Sequence, residues 1–160
     1  MSVAIRSYRP ADAAALADLY ARSVRGLGAG FYSPEQVEAW ARTADAGRLH
    51  ERLSDGRTAL VAADGGDCPL AFADLEADGH IDLFYCAPEA AGQGIASSLF
   101  DRLEAIAREA GMARLHVEAS EAACGFFERK GFCVTARRDL AIAGVAIHNY
   151  AMEKALSGAS

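Results

Sequence analysis

Apolar and polar positions alternate along this chain with two different periods, and together these periods predict a mixed α/β fold. Residues 80–86 form a mostly apolar run with two aromatic side chains, which is typical of a buried strand. Pro88 ends that strand because proline cannot donate to a strand ladder. From Ile95 to Ala110 the apolar residues recur at helical spacing, and Gly111 predicts the end of this helix.

The other segments complete an order of β-α-α-β-β-β-α-β-α-β-β. Strands are predicted over residues 3–8, 58–63, 70–75, 113–119, 132–135 and 145–152, and helices over about 12–24, 34–40 and 121–130. Turns join strands two, three and four as an antiparallel meander. A helix joins strand four to strand five, which predicts a parallel pair.

The fold class is therefore α/β (α+β), a single domain with a mixed sheet over residues 1–160. Residues 154–160 are predicted as a frayed tail, and residues 26–32, with three glycines, as a flexible loop. Residues 49–53 also carry a short helical pattern, which the order above leaves out.

Composition narrows the class of partner. Hydrophobic residues make up 52% of the chain and charged residues 24%, as in an ordinary globular domain. The net charge of −6 argues against a nucleic-acid partner and is consistent with a cationic amine substrate. The sequence shows no secretory signal pattern and no apolar run of membrane-spanning length, so we expect a cytoplasmic protein without a membrane partner.

The four cysteines, Cys68, Cys86, Cys124 and Cys133, lie in apolar stretches. No two of them form a C-x-x-C pair, and no histidine pair has metal-ligand spacing. We therefore expect buried free thiols, a reducing compartment and no metal.

A glycine-rich turn, Gly92-Gln93-Gly94, connects the strand at residues 80–86 to the helix that follows. Such a turn exposes unpaired N–H groups at the positive end of the helix dipole, an arrangement that binds phosphate. The turn is not a P-loop, because no Gly-Lys-Ser/Thr follows. It is not a dinucleotide fingerprint either, because Ser97 stands where the third glycine belongs. The alternative is that these glycines only make the turn.

Two segments carry a family resemblance. Residues 91–96, after Ala87-Pro88, resemble the coenzyme A-binding turn of the GCN5-related N-acetyltransferases (GNAT). Residues 122–132 resemble the same family's A-x-x-F-Y-E-x-x-G-F segment. Two positions depart from the family pattern: Ala91 replaces an Arg or Gln, and Phe127 replaces a Tyr that often protonates the leaving thiolate.

The resemblance implies an acetyl-CoA cosubstrate and direct attack by a primary amine of a small molecule or peptide. The implied cofactor-binding residues lie where strands four and five splay, along the turn and beside the last helix: Phe84, Tyr85, Cys86, Gly92, Gln93, Gly94, Ile95, Ala96, Ser97, Ser120 and Phe127. If an acid serves the thiolate, Tyr85 and Tyr150 are the candidates.

Four side chains are candidates for the base. His80 and Asp82 share one face of strand four, and His116 and Glu118 share one face of strand five. Histidine has the best unperturbed pKa for this work, whereas Asp82 suits binding of a substrate cation or action through water.

The acceptor site is predicted to include Phe31, Tyr32, Asn149 and Tyr150. The alternative for Phe31 and Tyr32 is that they only anchor their loop on the core. The two departures also leave open a second function, a non-catalytic acyl-CoA-binding or sensor module. A homodimer paired through the long final strands stays open as well.

Overall fold

The computed structural model describes residues 2–156. Its helices and strands, in chain order, are β1 (Ala4–Ser7), α1 (Ala13–Gly28), α2 (Pro34–Ala41), α3 (Ala46–Leu53), β2 (Thr58–Ala63), β3 (Pro69–Leu75), β4 (His80–Ile81), β5 (Phe84–Cys86), α4 (Ile95–Glu109), β6 (Arg114–Ala119), α5 (Glu121–Arg129), β7 (Cys133–Ile142) and β8 (Val145–Ala155).

These strands form two sheets around a shared core. The first sheet has the order β1-β2-β3-β5 and is antiparallel, as the predicted meander requires. The second has the order β4-β6-β8-β7, in which β4 and β6 are parallel and the other pairs antiparallel. The mixed fold and the parallel pair predicted from the sequence are confirmed.

The single strand predicted over residues 80–86 is two strands that belong to different sheets. His80 and Ile81 pair with His116 and Val117 of β6. The chain then crosses to the first sheet, where β5 pairs with residues 71–73 of β3. The parallel neighbours therefore splay apart after residue 81, and the space between β5 and β6 is left open.

A buried carboxylate sits at this crossing. Asp74 of β3 is fully buried, and its Oδ1 accepts the N–H groups of Asp82 and Leu83, both at 2.8 Å. Its Oδ2 accepts a hydrogen bond from Arg57 Nη1 at 2.6 Å. Because residues 82 and 83 lie between two strands, a side chain satisfies N–H groups that a ladder would otherwise pair.

Glycine at residue 79 allows β4 to lie close to β6. Its φ is +91°, and an added Cβ would come within 2.1 Å of the Arg114 carbonyl oxygen. The Gly79 carbonyl in turn accepts the N–H of His116 at 3.0 Å. This contact sets the register that aligns His80 with His116.

Four local predictions are wrong. Three helices, not two, separate β1 from β2, since α3 buries Leu49 and Leu53 and is capped by Asp45. The predicted loop over residues 26–32 begins inside a helix, because α1 runs to Gly28. Residues 154–156 are not frayed: β8 reaches Ala155, and Leu156 is buried. The rest of that predicted tail, residues 157–160, lies outside the described residues.

The fourth error concerns the thiols. Cys68 and Cys133 are exposed, and Cys86 and Cys124 are half-buried, all four without disulfides. Apolar sequence neighbours predicted burial, but Cys68 lies in a turn and Cys133 begins an exposed edge strand. Within residues 2–156, no helix combines the length and apolarity that crossing a membrane would require.

We predict that Asp74→Ala lowers the free energy of unfolding by about 3 kcal/mol or more at pH 7.5, because two buried N–H groups and a largely buried guanidinium lose their partner. Burial raises the pKa of Asp74 to about 6, although the Leu83 N–H and Arg57 oppose that rise, so the carboxylate is ionised at this pH. Urea denaturation measures the change.

The matched control is Asp18→Ala, which removes an exposed carboxylate paired with Arg22 on α1. We expect that variant to lose less than about 1 kcal/mol. Equal losses in the two variants would contradict a special role for the carboxylate at the strand crossing.

Candidate functional site

The splay between the sheets opens a cleft of about 620 Å³. Its walls come from β5, the start of α4, the end of β6 and α5. The predicted cofactor residues that line it are Phe84, Tyr85, Cys86, Gly92, Gly94, Ile95, Ala96, Ser97, Ser120 and Phe127. Gln93 does not line it, because its side-chain amide is turned back onto the Glu89 carbonyl at 2.9 Å.

The glycine turn at one end of the cleft presents backbone donors. Gly92 and Gly94 have φ values of +79° and +80°, and nothing lies within 4 Å of a Cβ added to either. The first N–H of α4 with a helical acceptor is that of Ser98, bonded to the Gly94 carbonyl at 3.0 Å. The N–H groups of residues 95–97 are therefore first-turn donors at the positive end of a helix of 15 residues.

Two basic side chains stand beside this turn. Arg129 and Lys130 both line the cleft, and Lys130 Nζ donates to Ser97 Oγ at 2.6 Å and to Asp101 at 2.8 Å. Neither residue was among the site residues predicted from the sequence. Their distance from the glycine turn along the chain, over 30 residues, hid this placement. Arg129 adds positive charge where the backbone donors face the cleft, while Asp101 partly compensates the charge of Lys130.

The middle of the cleft exposes one edge of β5. Ala87 donates its N–H to Leu70, and Leu83 accepts through its carbonyl from Asp74, so residues of odd number bond to β3. Backbone groups of residues 84 and 86 therefore point away from β3, toward the opening left by β6. These groups can donate to and accept from an extended ligand lying in the cleft.

A second cavity of about 210 Å³ adjoins the cleft. The residues that line both spaces are Trp40, Asp82, Tyr85, Glu118 and Ser120. Of the four predicted bases, Asp82 and Glu118 thus lie at the junction. His80 and His116 line neither space and stand behind them.

His80 connects two carboxylates. Its Nε2 lies 2.8 Å from Glu118 Oε1, and its Nδ1 lies 2.6 Å from Glu76 Oε1. Burial lowers the pKa of His80, but the hydrogen bonds to Glu118 and Glu76 outweigh burial, and the net pKa is raised above 6.5. A raised pKa favours imidazolium, so His80 is better suited to orienting Glu118 than to accepting a proton.

His116 stacks on His80 with ring centroids 4.9 Å apart, and its buried Nε2 has no hydrogen-bond partner in the described structure. His80, His116 and Glu118 each bring one ligand atom within 4.8 Å of the others, the spacing that a divalent ion needs. Both nitrogens of His80 are already bonded to carboxylates, however. We therefore interpret the cluster as a hydrogen-bonded charge network.

Asp82 is held from behind by guanidinium groups. Its Oδ2 lies 3.1 Å from Arg57 and 3.7 Å from Arg52. The carboxylate at the junction is therefore oriented and partly compensated.

The predicted acceptor residues separate in the structure. Phe31 is 56% exposed and lines the cleft, whereas Tyr32 is buried and lines the smaller cavity. Tyr32 also anchors its segment: its hydroxyl donates to the His148 carbonyl and accepts the Glu121 N–H. Asn149 lines the smaller cavity, whereas Tyr150 lines neither space.

Phe127 is buried in a cluster of rings that includes Phe84, Phe100 and Phe132. It forms part of the cleft wall and carries no proton to donate. Of the two tyrosines considered as an acid, only Tyr85 lines the cleft. Burial, reinforced by the neighbouring Tyr20, raises the pKa of Tyr85 well above its ordinary value and keeps the phenol protonated.

Comparison with known proteins agrees with this architecture. Residues 29–154 match the profile of the family described as "Acetyltransferase (GNAT) domain". The chain belongs to the GNAT family. The Escherichia coli K12 protein YafP, named as an uncharacterised N-acetyltransferase, is 31% identical over 153 residues, which cover 94% of this chain and 95% of YafP.

Solved GNAT structures share the fold. A GCN5-related N-acetyltransferase from Rhodopseudomonas palustris is 38% identical, with a TM-score of 0.91 over 98% of this chain and 97% of that one. The PaiA N-acetyltransferase of Thermoplasma acidophilum, solved in complex with coenzyme A, has a TM-score of 0.79 at 21% identity over 98% and 100% of the two chains. The family resemblance noted in the sequence is confirmed.

For this GNAT protein we predict that the His80 imidazole titrates above pH 6.5 and that Glu118→Gln lowers that pKa, because the variant weakens one of two hydrogen bonds that favour the charged form. Histidine-detected NMR titration measures both values. The stabilisation from His80 is fully present below pH 6.5 and is lost as the pH rises through the raised pKa.

The control is Glu109→Gln, which changes an exposed carboxylate at the end of α4 and should leave His80 unmoved. A His80 pKa at or below 6.5 in the unaltered protein would contradict the charge network.

Proposed function

We propose that this protein transfers the acetyl group of acetyl-CoA to a primary amine of a small molecule or peptide, by direct attack in a ternary complex. The observation that carries the proposal is the meeting of two cavities at Asp82 and Glu118. The larger cleft has, at its far end, backbone N–H groups that can hydrogen-bond to the phosphates of acetyl-CoA. The smaller cavity can admit the amine substrate.

In this proposal the larger cleft holds acetyl-CoA. The backbone N–H groups of residues 92–97 receive the pyrophosphate, with Arg129 and Lys130 supplying charge beside it. The absence of a longer side chain at Ala91 leaves those donors in place. The pantetheine then lies along the free edge of β5, where the backbone N–H of Phe84 or Cys86 can polarise the thioester carbonyl. PaiA, with a similar fold, was solved with coenzyme A.

The acceptor enters through the smaller cavity with its ammonium group beside Asp82 and Glu118. Glu118 takes one proton from the ammonium, directly or through a water, and the freed amine attacks the thioester carbonyl carbon. After the attack the nitrogen still carries one proton too many for an amide. The tetrahedral intermediate collapses as the C–S bond breaks, and this second proton passes to water or replaces the one that Tyr85 gives up, so that a neutral amide retains the acetyl group. The thiolate leaves as such or takes a proton from Tyr85, the phenol that lines the cleft.

Glu118 is assigned as the base because it can reach both bound substrates and because a neighbouring side chain holds its carboxylate in place. It lines both cavities, and His80 fixes its carboxylate from behind at 2.8 Å. Asp82 is assigned to binding of the ammonium group, since Arg57 and Arg52 hold its Oδ2 in place and leave Oδ1 for the substrate.

The second candidate is a non-catalytic acyl-CoA-binding or sensor module. Phe127 in place of a tyrosine, and Ala91 in place of Arg or Gln, favour it. Both functions predict acetyl-CoA binding, but only the transferase predicts amine-dependent release of free coenzyme A. Phe127→Tyr is a poor test, since a hydroxyl there would enter the aromatic cluster.

Gly94→Asp should weaken acetyl-CoA binding by at least about tenfold relative to Gly94→Asn. Both side chains tolerate a positive φ, and they have nearly the same shape, but only aspartate brings a negative charge toward the phosphates. Titration calorimetry measures the two dissociation constants. Equal constants would place the phosphates elsewhere.

Glu118→Gln should lower kcat by about 10²–10⁴-fold while acetyl-CoA affinity stays within about twofold, because glutamine keeps the shape but cannot accept the proton. Turnover is measured by detecting the released coenzyme A with a thiol reagent.

Asp82→Asn is the companion variant and should mainly raise KM for the amine. An unaltered kcat in Glu118→Gln would remove Glu118 as the base, and no amine-dependent turnover in the parent protein would favour the binding module.

A further inference from the structure

Two arginines line the smaller cavity: Arg52, which lies beside Asp82, and Arg138, which does not line the cleft. Arg138, Leu140 and Ile142 of β7 alternate with residues of the opposite face, and all three line this cavity. None of them lines the cleft, so they lie away from the junction at Asp82 and Glu118. Asn149 faces Arg138 across the β7–β8 pair and lines the same space.

The charges around the cavity leave Arg138 without an acidic partner. Asp82 pairs with Arg57 and Arg52, and Glu118 bonds to His80. Among the described residues, the side chain that accepts a hydrogen bond from Arg138 Nη1 is Asn149, through its neutral Oδ1 at 3.4 Å. A guanidinium that lines a cavity and lacks a carboxylate partner can bind the carboxylate of a ligand by donating two parallel N–H hydrogen bonds.

The neighbouring residue, Arg137, has an acidic partner on the same strand. Arg137 points to the other face of β7 and pairs with Asp139 at 3.3 Å. It lines neither cavity. Arg137 and Arg138 thus share a strand, a charge and solvent exposure, but differ in whether the cavity is in reach.

We propose that the acceptor amine carries a carboxylate, which binds Arg138 while its ammonium group lies beside Asp82 and Glu118. This inference rests on the proposed function and names its substrate class. Leu140, Ile142 and Ile147 line the same cavity and offer apolar contact to the rest of the molecule. The 210 Å³ volume is below that of a site for a drug-sized ligand and suits a molecule the size of an amino acid.

The test compares each of the common amino acids with its carboxamide, which lacks the negative charge. Binding to the protein saturated with coenzyme A is measured by calorimetry, so turnover is not needed. The parent protein should bind at least one amino acid about tenfold more tightly than its carboxamide, after correction for the fraction of protonated amine. Arg138→Gln should abolish that preference, and Arg137→Gln should keep it.

Transfer is then measured with the preferred pair at saturating acetyl-CoA. Arg138→Gln should raise KM for the carboxylate about tenfold and leave kcat within about twofold, as expected of a residue that binds rather than reacts. An aminophosphonate with the same side chain distinguishes a site for a planar carboxylate from a general anion site. Tighter binding of the phosphonate than of the amino acid would overturn the assignment to a carboxylate.

The inference fails if no amino acid binds more tightly than its carboxamide, or if Arg138→Gln and Arg137→Gln behave alike. Failure of the proposed function has a different signature. In that case amino acids bind with the Arg138-dependent preference, but no amine, charged or neutral, releases coenzyme A.

Discussion

The hydrogen bonds of one buried carboxylate support the opening on which this structure depends. Two parallel strands that begin side by side would continue as a closed ladder unless something else satisfied the N–H groups where one departs. Asp74 accepts both of those N–H groups, from Asp82 and Leu83, and Arg57 compensates its charge. The energetic cost of burying the carboxylate appears as a raised pKa, to about 6. The same Arg57 then reaches Asp82 at the junction of the cavities, so the support of the backbone and the orientation of a site residue are one network.

Register explains why the other polar residues gather at this place. His80 pairs with His116, and Glu118 follows two residues later on the same face of β6. The imidazole of His80 therefore meets the carboxylate of Glu118 and the imidazole of His116 within one small region. The four candidates for the base that the sequence offers thus take different positions, two at the junction and two behind it.

The departures from the family pattern affect side chains more than backbone. Ala91 shortens a side chain beside the turn, but the positive φ angles of Gly92 and Gly94 and the start of α4 provide donors that no side chain supplies. Phe127 removes a hydroxyl and adds a ring to an aromatic cluster that forms the cleft wall. Lys130, bonded to Ser97 across more than 30 residues of sequence, adds charge that a local pattern cannot reveal.

The sequence by itself determined the elements and the turn, because these depend on local chemistry. Helical spacing predicted α4, and the glycines at residues 92 and 94 indicated a phosphate-binding turn. Only the tertiary structure decided what depends on distant partners. It divided the run at residues 80–86 between two sheets, because the acceptor for its central N–H groups is the side chain of Asp74 on another strand. It also placed Glu118 at the junction of the two cavities with His116 behind it, and it brought Arg138 to the smaller cavity. Strand register and sheet splay are set by pairing across the fold and not by the residues next to each position.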